Sequence, residues 1–117
     1  MKHRLTDLTY LNSISEDDQE FKKDIINTFL QNTPLYLADM KSGLDTLDWK
    51  KIGDIAHSLK PSFTLMGMTE KKDILLKIEA YGRNRSHTGK LSGLIRELET
   101  VIQQAISELR EDLDGIA

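Results

Sequence analysis

Residues 48–68 read Asp-Trp-Lys-Lys-Ile-Gly-Asp-Ile-Ala-His-Ser-Leu-Lys-Pro-Ser-Phe-Thr-Leu-Met-Gly-Met. Apolar residues recur in this stretch every three or four positions, which is the period of one face of an α-helix. They are Ile52, Ala56, Leu59, Phe63 and Met66. Because His57 falls on the opposite face, the stretch predicts a helix that buries one side in a core and presents a histidine on the other.

The positions next to His57 on this predicted helix carry small or cationic side chains. They are Gly53, Lys60, Pro61 and Thr64, which lie four residues before and three, four and seven residues after the histidine. Residues at these spacings share a helix surface with it. A proline displaces the carbonyl four residues back, here that of His57, so we predict a bend that exposes the imidazole. Gly53 either clears space for the histidine or marks close helix packing.

Composition and charge exclude several classes of protein. The chain has 117 residues, a length typical of one domain, and we assign residues 1–117 to a single domain. The absence of cysteine excludes disulfides and cysteine-based zinc sites, and a net charge of -3 is not that of a nucleic-acid-binding surface. No apolar run reaches the roughly 20 residues that span a bilayer, and residues 1–7 lack an apolar signal core. We therefore expect a cytoplasmic protein without nucleic-acid or membrane partners.

Helical periodicity extends over most of the remaining chain, and strand patterns are nearly absent. We predict helices at about 5–12, 16–32, 48–66, 70–82 and 89–113, and a loop over 82–89. Asp48 and Thr69 are the expected N-caps of the third and fourth of these helices, and Gly67 is expected to adopt the left-handed conformation between them. The lengths and short connections predict an all-α fold, an antiparallel four-helix bundle with an additional short N-terminal helix.

The second helix has an uncertain end. Ser15 and the acidic residues after it resemble a capping box, which places the start of the helix there, with Phe21 among the residues facing the core. Pro34 must end or kink the helix, yet the apolar period resumes from Leu37 to Leu47. Whether residues 16–47 form one kinked helix or two is therefore left open.

The residues around His57 resemble a known family motif. The relevant stretches are Ala56-His57-Ser58-Leu59-Lys60-Pro61-Ser62 and Leu65-Met66-Gly67-Met68. They are similar to the signature of histidine phosphotransfer (HPt) domains of multistep two-component phosphorelays, His-x-(Leu/Ile)-Lys-Gly-(Ser/Ala) with a glycine ten residues after the histidine. Pro61 departs from this pattern, because the family usually has glycine there.

The resemblance implies a function for several residues. It implies that His57 accepts a phosphoryl group from a receiver-domain aspartyl phosphate and gives it to another receiver, and that Lys60 stabilises the phosphorylated form. Family members often have a polar residue that hydrogen-bonds the histidine ring at the position of Glu79, for which a solvated glutamate is the alternative. The surface that binds the partner is expected to include Gly53, Asp54, Pro61 and Thr64.

The resemblance also implies partners and cofactors. The partners are receiver domains of hybrid histidine kinases and response regulators, which supply the Mg²⁺, so the protein itself needs neither a metal nor a cofactor. We expect a monomer that carries phosphoryl groups without autonomous catalysis.

Two other functions are compatible with the sequence. One is a non-phosphorylated helical adaptor that binds receiver or other signalling domains through the same surface; the other is an enzyme with His57 as a base. His3 and His87 are interpreted as solvated residues without a role. Arg83 and Arg85, which fall in the predicted loop, are interpreted as solvent-exposed, with docking of an acidic receiver surface as the alternative.

Overall fold

The protein is described by a computed structural model that covers residues 4–116, so His3 lies outside the described residues. The helices are α1 (Thr9–Ser15), α2 (Gln19–Thr46), α3 (Trp49–Leu65), α4 (Lys72–Asn84) and α5 (Leu91–Asp114), with a 3-10 turn at Thr88–Lys90 before α5. Helix α3 packs beside α2 and α4, and α5 closes the ring by packing on the same two helices. This arrangement confirms the predicted all-α bundle with a short N-terminal helix.

The core lies between the inward faces of α2 to α5. On α3 the buried residues Ile52, Ala56, Leu59 and Phe63 follow the predicted period. Helix α5 contributes the longest buried seam, comprising Leu91, Ile95, Leu98, Val101, Ile102, Ala105 and Leu109. Fully burying such a side chain contributes roughly 1.5–3 kcal/mol. This packing fixes the rotation of α3 and therefore turns His57 outward.

Helix α2 is one continuous helix of 28 residues with Pro34 inside it, which answers the question left open by the sequence. Its N-cap is Asp18, whose Oδ1 accepts from the backbone N–H of Phe21 at 3.0 Å. The predicted cap at Ser15 is wrong, because Ser15 ends α1 and donates its hydroxyl to the carbonyl of Leu11. Phe21 therefore falls in the first turn of α2, where it is 40% exposed rather than in the core.

Helix α1 begins at Thr9, four residues later than predicted. The backbone N–H groups of Leu5 and Thr6 are used elsewhere, because both donate to the carboxylate of Glu108 on α5. The Asp7 side chain then accepts from the N–H of Thr9, the first residue of α1, at 2.9 Å. Residues 4–8 lie outside the helices and form a strap that is bound to Glu108 on α5 and to the carbonyl of Met66.

The predicted ends of α3 agree with the structure better than the predicted start of α4. Asp48 caps α3 by accepting from the N–H of Lys51 at 3.2 Å, and Gly67 has φ of +72°, as predicted. A Cβ on Gly67 would lie 2.2 Å from the carbonyl oxygen of Asp7, so the strap also requires a glycine here. The predicted cap at Thr69 is wrong, since α4 starts at Lys72 without a side-chain cap.

Among residues 4–116, none of the helices combines the length and the apolar character needed to cross a bilayer.

Candidate functional site

His57 lies in the middle of α3 on the outward face, with 54% of its side chain exposed. The buried neighbours Ala56 and Leu59 point the other way, into the core. Its ring nitrogen Nδ1 lies 2.7 Å from Oε2 of Glu79, which α4 presents beside α3. The structure thus brings together two residues that are 22 positions apart in the sequence.

Glu79 sits at the centre of the charged cluster on α3 and α4. Its Oε1 accepts from the ammonium of Lys60 at 2.7 Å, and its Oε2 also accepts from Nη1 of Arg83 at 2.8 Å. The Lys60 hydrogen bond lowers the pKa of Glu79, burial opposes this, and the contact with His57 lowers the pKa further. Glu79 is therefore ionised at neutral pH.

The ionised state of Glu79 determines the tautomer of His57. A carboxylate can only accept hydrogen bonds, so Nδ1 of the neutral imidazole must carry the proton that it donates to Glu79. The second ring nitrogen, Nε2, then keeps its lone pair on the exposed edge of the ring. Chemically this is an oriented, accessible nucleophile.

Lys60 lies one turn after His57 and is partly buried, with 24% of its side chain exposed. The sequence predicts it as the counter-charge of a group on the histidine. In the structure its ammonium pairs with Glu79, so it stands beside the histidine as part of the same cluster.

Arg83 extends the cluster away from His57. It lies in the last turn of α4, not in a loop, and its Nε donates to Oδ1 of Asp54 at 2.9 Å. Asp54 also accepts from Lys50 at 2.7 Å; that hydrogen bond, followed by the one from Arg83, lowers the pKa of Asp54. The prediction that Arg83 lies in a loop is therefore wrong, whereas its solvent exposure is as interpreted from the sequence. Its spacing of four residues from Glu79 is typical of a helical ion pair and is the sequence signal that could have predicted this contact.

Gly53 is not part of the accessible surface around His57, which corrects the predicted partner-binding set. It is buried against α4: a Cβ on Gly53 would lie 2.9 Å from the backbone nitrogen and Cγ of Arg83. A Cβ on Gly82 would lie 2.6 Å from the carbonyl oxygen of Trp49 and 2.8 Å from the nitrogen of Gly53. The two glycines mark a close approach of the α3 and α4 backbones.

Pro61 and Thr64 occupy the C-terminal half of α3. Pro61 is exposed, and the helix continues through it to Leu65. Thr64 is half-buried, and its hydroxyl accepts from the ammonium of Lys72 at 2.9 Å. The contact of Lys72 with Thr64 was not predicted from the sequence, because it joins α3 to the start of α4 and depends on the packing of the two helices.

A shallow cavity of 130 Å³ lies between α2 and α3 on the side of Ser58 and Ser62. Its lining includes Phe29, Thr33 and Tyr36 from α2 but not His57. The histidine therefore does not line this cavity. Residues 4–116 contain no group of three or more histidine, aspartate or glutamate residues placed to hold a metal ion.

Comparison with known proteins identifies the family. The model of the Hpt domain matches residues 24–115, which is most of the chain. The chain belongs to the Hpt family. This membership confirms the resemblance that the motif around His57 indicates, and the match covers α3 and α4 completely.

The Hpt chain also has a relative among curated proteins. It is 31% identical over 74 residues to "Multistep phosphorelay regulator 1" of Schizosaccharomyces pombe. The alignment covers 63% of this chain but only 25% of the relative, so the chain spans about a quarter of the length of that protein. No solved structure matches the chain at a significant level.

Proposed function

We propose that the protein is a phosphoryl carrier of a multistep phosphorelay and that His57 is its phosphorylated residue. The observation that supports this most directly is the exposed His57 ring, held through Nδ1 by the ionised Glu79 so that Nε2 faces outward. In the proposed step, Nε2 attacks the phosphorus of an aspartyl phosphate, the P–N bond forms, and the P–O bond to the aspartate breaks. The aspartate leaves as a carboxylate, and the reverse reaction delivers the phosphoryl group to a second aspartate.

Lys60 and Glu79 have separate roles in this proposal. When Nε2 bonds to phosphorus while Nδ1 keeps its proton, the ring becomes cationic, and the Glu79 carboxylate 2.7 Å away stabilises that charge. Lys60, one turn away, forms a charge-assisted hydrogen bond to a phosphoryl oxygen. The site supplies orientation and charge, and the partner supplies the Mg²⁺ and the remaining catalytic groups.

Receiver domains of hybrid histidine kinases and response regulators are the proposed partners. Asp54, Pro61 and Thr64 lie three residues before and four and seven residues after His57 on α3, and this shared position supports them as the residues that would contact a receiver. A monomer in the cytoplasm without autonomous catalysis fits this role. The relative is itself named a phosphorelay regulator, which agrees with this role.

The test is phosphotransfer from a labelled receiver. A receiver domain phosphorylated with a labelled phosphoryl group is mixed with the protein and Mg²⁺, and the wild type is compared with His57→Gln. The matched control is His87→Gln, which removes an exposed histidine whose ring lies 5.0 Å from the Tyr81 ring, between centroids. We expect acid-labile, alkali-stable label on the wild type and on His87→Gln, and none on His57→Gln.

Folding has to be measured in the same experiment. Because His57 is more than half exposed, His57→Gln should keep the melting temperature of the wild type. If the folded wild type takes no label from any receiver of its organism, the carrier proposal is wrong. Receiver binding that persists unchanged in His57→Gln, without any label on the wild type, would instead identify a helical adaptor.

A further inference from the structure

Arg83 joins two carboxylates that belong to different helices. Its Nη1 binds Oε2 of Glu79 on its own helix, and its Nε binds Oδ1 of Asp54 on α3. The guanidinium is planar and carries its donors in a fixed fork, so two bonds to two partners fix its orientation. Arg83 thus binds Oε2 of Glu79, whereas Lys60 binds Oε1.

The two glycines explain how Arg83 reaches this position. Its Cγ passes over Gly53, where a Cβ would come within 2.9 Å, and Gly82 allows the backbones of α3 and α4 to approach each other there. A larger residue at position 53 would push the Arg83 stem or the helix outward. The close approach therefore places the guanidinium beside Asp54 and Glu79.

Lys60 faces two competing partners if the proposed function holds. In the unphosphorylated protein its ammonium is bound to Oε1 of Glu79. A phosphoryl group on Nε2 adds between one and two negative charges one turn away, and its oxygens are strong acceptors. When Lys60 turns to the phosphoryl group, the cationic His57 ring and Arg83 remain as partners of Glu79, so Arg83 is the remaining side chain that fixes the orientation of the carboxylate toward Nδ1.

We propose that Arg83 is a positioning residue for the phosphorylated state. It keeps the Glu79 carboxylate against Nδ1 of His57 after Lys60 has moved to the phosphoryl group, and the contact of Gly53 with α4 holds Arg83 in place. Asp54 has the complementary task, because its bond to Nε keeps the guanidinium from following Lys60 to the phosphoryl oxygens. This inference rests on the proposed phosphorylation of His57.

The experiment compares the ring nitrogens of His57 before and after phosphorylation. The ¹⁵N-labelled protein is phosphorylated chemically with phosphoramidate, which requires no receiver, and Nδ1 is observed by NMR. The variants are Arg83→Met, which keeps the stem and removes the charge, and Arg83→Lys, which can bind only one carboxylate well. Arg96→Met, on the exposed face of α5, is the matched control.

The expected result depends on the phosphorylation state. Before phosphorylation Lys60 still holds Glu79, so the Nδ1 resonance of Arg83→Met should match that of the wild type. After phosphorylation the Arg83→Met resonance should move away from the wild-type value, and transfer to a receiver should fall about tenfold, the loss of one charged hydrogen bond. Arg83→Lys should be intermediate, and Arg96→Met should behave as wild type.

Several outcomes would overturn the inference. One is an unchanged resonance and rate in phosphorylated Arg83→Met; another is a resonance already shifted before phosphorylation, which would make Arg83 a component of the resting site only. If Arg83→Met does not fold, Asp54→Asn answers the same question, because it loosens the guanidinium without removing it. A wild type that resists phosphorylation on His57 would refute the proposed function as well. Normal transfer by the wild type, together with an Arg83→Met variant that behaves like the wild type, would refute this inference alone.

Discussion

Two glutamates of this protein have nearly the same burial and opposite kinds of partner. Glu79 on α4 is 14% exposed and Glu108 on α5 is 12% exposed. The partners of Glu79 are the Lys60 ammonium, the Arg83 guanidinium and the His57 ring, all of them side-chain groups.

Glu108 is bound mainly by the backbone. Its carboxylate accepts from the N–H groups of Leu5 and Thr6 at 2.9 Å each, from the Thr6 hydroxyl at 2.7 Å and from the Gln104 amide at 3.0 Å. Burial raises the pKa of Glu108, but the donors from Leu5 and Thr6 outweigh it and lower the pKa to about 2.

The kind of donor determines whether a largely buried carboxylate can exchange its hydrogen-bond partners. A side-chain cation can rotate from one acceptor to another at the cost of a rotamer change, so the Glu79 cluster can exchange partners. Backbone donors cannot leave Glu108 unless the strap of residues 4–8 detaches from α5. We therefore expect Glu108 to determine stability and Glu79 to determine chemistry, and the following changes test that division.

The largest effect on stability is expected from Glu108→Gln. An amide would turn an NH₂ group toward backbone donors that need an acceptor, which costs about 1–3 kcal/mol in the free energy of unfolding. Glu79→Gln should cost less than about 1 kcal/mol, since its partners are exposed enough to find water. Urea unfolding of both variants measures these losses in the free energy of unfolding. Equal losses would contradict the distinction drawn between the two glutamates.

Acid should remove the Glu108 contribution selectively. Because the folded pKa of about 2 lies below the ordinary value of 4.5, the stabilisation is complete above pH 4.5 and is lost as the pH falls toward 2. The stability gap between wild type and Glu108→Gln should therefore narrow over this window. Urea unfolding at pH 6, 4 and 2.5 checks this, and a gap that stays constant would show that the carboxylate charge is not the cause.

Lys60→Ala should affect the phosphorylated protein more than the fold. We expect transfer, or the lifetime of the phosphohistidine, to change by about tenfold through loss of one charge-assisted bond, while receiver affinity changes little. The loss of a partly exposed ion pair should cost only about 0–1 kcal/mol of stability. Single-turnover transfer and a binding isotherm separate the two effects, and equal transfer rates for wild type and variant would refute the role of Lys60.

The smallest effect is expected from Pro61→Gly. The exposed proline lies inside α3, and glycine restores the residue usual in the family motif. Inside a helix proline costs roughly 3 kcal/mol and glycine about 1 kcal/mol relative to alanine, so the substitution should not lower the free energy of unfolding. Transfer should persist as well. A folded but inactive variant would show that the proline itself shapes the site.

The sequence predicted the parts of this structure that depend on local periodicity. The buried positions of α3 and α5 and the Asp48 cap follow from spacing along one helix, and the proximity of Glu79 to His57 followed from the family resemblance. Contacts between distant segments could not be predicted in this way. The Gly53 contact with Gly82 depends on how α3 meets α4, and the strap depends on Glu108, which lies 103 positions after Leu5.

The strap has a consequence for joining this bundle to other proteins. Arg4 binds Asp112 at 2.6 Å, and the N–H of Asp7 binds the carbonyl of Met66, so the two ends of the described chain are fastened at one pole of the bundle. His57 lies nine residues before Met66 on α3, about 14 Å along the helix axis. A fusion partner, dye or surface tether attached at either end would be anchored at that pole and would leave the histidine face open to an approaching protein.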